Sequence, residues 1–145
     1  MKQITLTRRK VATMANQLKK MGMTLSAAFK KAWQLIKGQT ITTKVKGVTF
    51  GSGQRILERL THYQPEQITV QLKREPYNLY DSKAIAVYVG VISKGSVKVG
   101  YLPTQLAKIV SLYQDKDIKI NALYGQIKGK YENYMNYGLE IDIGL

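Results

Sequence analysis

At Thr40 the hydrophobic period of the chain switches from that of a helix to that of a strand, so a single all-α or all-β fold is excluded. Before the switch, Val11, Met14, Ala15, Leu18 and Met21 fall at i, i+3, i+4, i+7 and i+10. Phe29, Ala32, Trp33 and Ile36 repeat the first four of those spacings. Each set is the apolar stripe of an amphipathic helix. Thr7 is placed to N-cap the first helix, and Gly22 and Gly38 stand where C-terminal glycines end helices. The expectation is a two-helix hairpin over 1–39 with Phe29 and Trp33 in its core.

After the switch, β-branched and alternating stretches dominate. TITTKVKGVTF reads as a strand ending in the GSG turn at 51–53, and 54–62 as a short helical or irregular connection. Residues 67–74 alternate, with Ile68, Val70 and Leu72 on one face. EPYNLYD, 75–81, is a loop by its Pro, Asn and Asp content. AIAVYVGV (84–91) and VKVGYL (97–102) are strands joined by a turn at 93–96. Pro103 opens a helix whose apolar face is Leu106, Ile109, Val110 and Tyr113. Residues 118–127 and 139–143 alternate as two more strands. The fold class is α+β: the hairpin, then a small curled antiparallel β-barrel of about six strands with one inserted helix, over 40–145.

Charge divides the chain at nearly the same place. The net charge is +14, yet residues 1–46 hold eleven Lys and Arg and no Asp or Glu, leaving only +3 for the remaining 99 residues. A basic surface of this density gains affinity for a polyanion by releasing counterions from phosphates. Arg8, Arg9, Lys10, Lys19, Lys20, Lys30, Lys31 and Lys46 are therefore candidate phosphate contacts, against the alternative of a solvated face. Arg74, beside Glu75, is a scaffold pair with it or a further phosphate contact.

Catalysis finds no support. The chain has no Cys and one His, His62, so a usual zinc site or a thiolate nucleophile is excluded. Glu140 with Asp142, and Asp115 with Asp117, lack the further ligands a metal-dependent nuclease needs, and there is no P-loop run. The expectation is a protein that is not an enzyme, needs no cofactor and does not enter a membrane, since in the first twenty residues no apolar run approaches the length of a span or a signal core. A cytoplasmic location follows as an expectation.

One stretch carries a family resemblance. Arg74-Glu-Pro-Tyr-Asn-Leu-Tyr-Asp-Ser-Lys-Ala-Ile-Ala-Val87, followed by Val99-Gly-Tyr-Leu-Pro103, resembles the HIRAN domain signature, and Val45-Lys-Gly-Val-Thr-Phe50 resembles its first strand. The resemblance covers about 41–145. It implies an OB-like barrel that engages single-stranded DNA or DNA 3′ ends without catalysis. Phe50 and Tyr80 match aromatic residues that stack on terminal bases, Asp81 matches a carboxylate that meets the terminal hydroxyl, and Tyr134 or Tyr137 is placed to supply a third ring. Thr49 and Gly51 depart from the end-reading pattern, which has a basic residue and an aromatic there. For Phe50 and Tyr80 the alternative is core packing; for Asn78 and Asp81 it is the holding of a turn.

Two further function classes stand beside nucleic-acid binding. Ser26-Ala-Ala-Phe-Lys-Lys-Ala-Trp33 resembles short leader segments of phage and mobile-element proteins, which suggests an inhibitor of a host nuclease, such as an anti-CRISPR. The other class is a protein-interaction module.

Overall fold

In the computed structural model, the described residues are 40–115, 117, 119–129 and 136–144, with Asn16 alone before them. The expected helical hairpin, with Phe29 and Trp33, lies outside the described residues, as does Tyr134. After Thr40 the chain forms β1 (Ile41–Lys44), α1 (Gly53–Leu60), a 3-10 turn (Pro65–Gln67) and β2 (Ile68–Arg74). It continues through β3 (Ile85–Val91), β4 (Ser96–Tyr101), α2 (Thr104–Asp115), β5 (Asn121–Gly129) and β6 (Tyr137–Gly144).

The strands form two antiparallel three-stranded sheets, in the orders β1-β6-β5 and β2-β3-β4. Alternation decides which faces meet. Ile85, Val87 and Val89 of β3 and Leu139, Ile141 and Ile143 of β6 are buried and join one core. Each such side chain contributes about 1.5–3 kcal/mol on full burial. On the outer face of β6, Asp142 accepts a hydrogen bond from Thr42, and Glu140 accepts one from Gln126 at 2.9 Å and pairs with Lys128 at 3.1 Å. The Gln126 bond, with Lys128 beside it, holds the Glu140 carboxyl below the ordinary range.

Two sequence expectations are corrected. The barrel does not close: among the described residues the two halves are joined by one isolated bridge, Lys46 to Tyr101. The reason is local, because the chain leaves the strand direction at Gly47, whose φ is 80°, and turns into α1, so β1 is too short to run through both sheets. The second correction is the number of helices. The connection at 54–62 takes its helical alternative, giving two helices after Thr40, because Gly53, Leu57 and Leu60 fall on one buried face.

α2 forms as the sequence predicts. Pro103 provides the carbonyl that accepts the Ala107 N–H at 2.9 Å, and Leu106, Ile109, Val110 and Tyr113 are buried. Burial pushes the Tyr113 hydroxyl up to about 12.

Candidate nucleic-acid interface

The pairing of β2 with β3 ends at Arg74 and Ile85, so residues 75–84 leave the sheet at that end as a loop. Its base is closed by the Glu75 N–H donating to the Ala84 carbonyl at 3.0 Å. Within it, Asn78 Oδ1 accepts the N–H groups of Tyr80 at 2.9 Å and Asp81 at 3.1 Å, and Asp81 Oδ1 accepts the Lys83 N–H at 2.9 Å. Short polar side chains here replace the backbone partners that a loop lacks. The turn-holding reading of Asn78 and Asp81 is therefore what the structure displays. It uses one oxygen of Asp81; no partner of the other is found among the described residues.

Glu75 anchors this loop to the neighbouring strand. Its carboxylate accepts the Tyr101 hydroxyl at 2.8 Å, Asn78 Nδ2 at 3.2 Å and Lys98 Nζ at 3.2 Å, while Lys98 Nζ also donates to the Tyr101 hydroxyl at 3.1 Å. Burial pushes the Glu75 carboxyl up, but the hydrogen bonds from Tyr101, Asn78 and Lys98 together outweigh it, and the group titrates below its ordinary value of 4.5. The Lys98 ammonium is held above its ordinary value, chiefly by its hydrogen bonds to Tyr101 and Glu75. Tyr101 in turn exchanges backbone hydrogen bonds with Lys46, at 2.7 and 2.8 Å.

With its polar groups directed to its own frame, the loop turns its apolar side chains to solvent. Tyr77, Leu79 and Tyr80 are 93%, 96% and 97% exposed, and Phe50, on the nearby 47–50 turn, is 79% exposed. The core-packing alternative for Phe50 and Tyr80 is thereby excluded. The Phe50 turn is fixed by its own N–H to the Gly47 carbonyl at 3.1 Å and by Gln54, whose Nε2 donates to the Val48 carbonyl at 3.1 Å.

Of the residues singled out in the sequence, Lys46, Tyr80 and Asp81 come together around a cavity of about 400 Å³, which Tyr101 also lines. Phe50 lies beyond that lining, four positions along the chain from Lys46. Tyr137 is elsewhere: it packs against the core and lines a separate cavity of about 620 Å³, and its backbone N–H and C=O both bond the Gln54 side chain. Arg74 is ion-paired with Asp115, not with Glu75, which pairs with Lys98. Arg8, Arg9, Lys10, Lys19, Lys20, Lys30 and Lys31 lie outside the described residues. Sequence reasoning gives Tyr101, Lys98, Tyr77 and Gln54 no role in the site and considers Glu75 only as a partner of Arg74. Glu75 and Tyr101 stood inside the quoted motifs, and their pairing was the missing information.

Among the described residues, no group of three or more His, Cys, Asp or Glu side chains stands together. No described helix is long and apolar enough to cross a membrane. Exposed aromatic rings beside a lysine-bearing cavity, on a small antiparallel β scaffold, are features that nucleic-acid-binding modules use. The model of the HIRAN domain family matches residues 39–143, and the chain belongs to that family of nucleic-acid-binding domains. No curated protein matches the chain. Among solved structures, the HIRAN domain of human HLTF is 21% identical, with 72% of this chain and 74% of that one covered and a TM-score of 0.47. A protein from Lactobacillus plantarum is 18% identical, with 73% and 97% covered and a TM-score of 0.46.

Proposed function

We propose that this domain is a non-catalytic module that holds the unpaired end of a DNA strand at the 75–84 loop, with the basic residues of 1–46 adding phosphate affinity. The observation that carries the reading is the near-complete exposure of Tyr77 and Tyr80 on a loop that Glu75 and Asn78 hold in place by hydrogen bonds. An aromatic face held out in water stabilises any unpaired base stacked on it by about 1–3 kcal/mol, without regard to sequence. Phe50 supplies a further ring, and Lys46 a phosphate contact at the cavity edge.

Asp81 gives the reading its polarity. Its carboxylate accepts a hydrogen bond from a free terminal hydroxyl but repels a phosphate in the same position. One oxygen holds the turn and the other is available at the cavity that Tyr80 and Lys46 share. Thr49 and Gly51 remove a cation and a ring from the end-reading pattern, so affinity rests more heavily on Tyr80 and Phe50.

The test is fluorescence anisotropy with one labelled single strand, ending in a free 3′-hydroxyl or in a 3′-phosphate, and a blunt duplex. The wild type should prefer the free hydroxyl by about tenfold, equivalent to about 1.4 kcal/mol. Asp81→Asn keeps an oxygen for the Lys83 N–H and loses the charge, so it should erase most of that preference and leave the fold intact. Equal binding of all three ligands by the wild type, with parallel loss as salt rises, would refute end recognition.

A further inference from the structure

At the opposite end of the β2-β3-β4 sheet, the β3–β4 hairpin and the last turn of α1 line a third concavity of about 670 Å³. Its size is that of a ligand site, and its chemistry differs from that of the loop end. The floor is aliphatic: Ile56, Leu60, Val89 and Val91 line it, Val97 borders it at 50% exposure, and Ile92, on the same hairpin, is 56% exposed. Cations stand at the edge. Arg59 and Lys94 line the cavity, no carboxylate does, and neither cation has an ion-pair partner among the described residues.

We propose that this concavity docks a short acidic segment of a partner protein, one bulky apolar side chain entering the aliphatic floor while flanking carboxylates meet Arg59 and Lys94. Charge complementarity selects the sign of the partner, since two unpaired cations beside a cavity without carboxylates favour an anionic ligand. The floor selects its class. Nucleic acid would bring flat bases that need aromatic faces, and of the two rings in the lining Tyr63 already has Lys94 Nζ 5.5 Å from its centroid, with a 3.4 Å hydrogen bond to its hydroxyl, which leaves only the small imidazole of His62. Branched aliphatic walls instead match a Leu, Ile, Phe or Met side chain, for which burial supplies the affinity and the carboxylates the orientation. The inference does not rest on the end-binding reading, because the two sites share no lining residue.

The experiment is a selection of displayed random dodecapeptides on the full chain, with counter-selection on the double variant Arg59→Glu/Lys94→Glu. Both side chains are exposed, so the variant should keep the wild-type melting temperature. Enriched peptides are expected to combine a bulky apolar residue with two or more carboxylates and to bind the wild type at least about tenfold more tightly than the double variant. Val97→Glu, at the edge of the floor, should weaken them as well. The proposal is overturned if no peptide distinguishes wild type from the double variant, or if enriched peptides lack carboxylates. It is equally overturned if a single-stranded oligonucleotide displaces the peptides, which would assign the cavity to nucleic acid.

Discussion

The two ends of the β2-β3-β4 sheet are built from the same three strands and have opposite surface chemistry. At one end Glu75 and Asn78 of the 75–84 loop bond each other, Glu75 also accepts hydrogen bonds from Lys98 and Tyr101 of β4, and the loop presents exposed aromatic rings. At the other end, aliphatic side chains form a hollow whose cations have no acidic partner among the described residues. A polar frame with exposed rings suits flat, interchangeable bases; an aliphatic hollow edged by cations suits a branched side chain with an acidic neighbour. The difference teaches that the scaffold sets the separation of the two surfaces, while the connections at each end set what they bind.

Each end also contains a glycine that lets two backbones meet, and these give the largest expected effects. A Cβ at Gly100 would lie 2.2 Å from the Lys46 carbonyl oxygen, and one at Gly90 2.0 Å from that of Gly95. Gly100→Ala and Gly90→Ala should each cost about 1–3 kcal/mol of stability, visible as a lowered melting temperature. The comparison is sharpened if Gly100→Ala, which breaks the seam beside the loop, also weakens oligonucleotide binding, whereas folded Gly90→Ala binds it normally. If both variants lose oligonucleotide binding alike, the two ends are not independent.

Tyr80→Ala comes next. With the ring 97% exposed, its removal should leave the melting temperature unchanged and weaken single-strand binding by about 1–3 kcal/mol, measured by anisotropy. A smaller effect is expected from Glu75. Its folded-state value is depressed, so it contributes stability that is fully present above the ordinary 4.5 and is lost as pH falls through the lower folded value. In acid titrations followed by circular dichroism, Glu75→Gln should lose part of the stability decline below that pH. It should also loosen the Tyr80 loop enough to reduce oligonucleotide affinity at neutral pH.

The smallest effects belong to exposed charges. Lys46→Ala should lower the slope of log affinity against log salt by about one and weaken all sequences equally. Arg74→Ala breaks a half-exposed pair with Asp115 and should cost no more than about 1 kcal/mol in a thermal melt. A larger loss of oligonucleotide affinity than of stability in that variant would return Arg74 to the phosphate contacts.

Much of this arrangement was legible in the sequence because it is local. Alternation at Ile68, Val70 and Leu72 marks a strand whatever surrounds it, and Pro76, Asn78 and Asp81 mark the loop because their preferences are backbone preferences. α1 was ambiguous because Ile56, Leu57 and Leu60 span little more than one turn, too few to separate a helical period from an irregular connection. Closure of the barrel was illegible because it depends on where β1 stops, at Lys44, and on the positive φ at Gly47 that turns the chain away, a matter of one backbone angle. The Glu75–Tyr101 pair lies 26 residues apart along the chain, and nothing in either motif says that the two side chains meet. Tyr137 lines a different cavity from Tyr80, and the family resemblance that offers it as a third ring does not say which cavity it lines.

The most direct test of the account is a map of single-stranded oligonucleotide on the full chain by amide and methyl chemical-shift perturbation. The account predicts shifts concentrated at Lys46, Phe50 and 77–81, with Ile56, Val89 and Val97 unmoved. Shifts confined to 1–39, or centred on the Arg59 and Lys94 cavity, would contradict the claim that the exposed loop is where this HIRAN domain holds its strand.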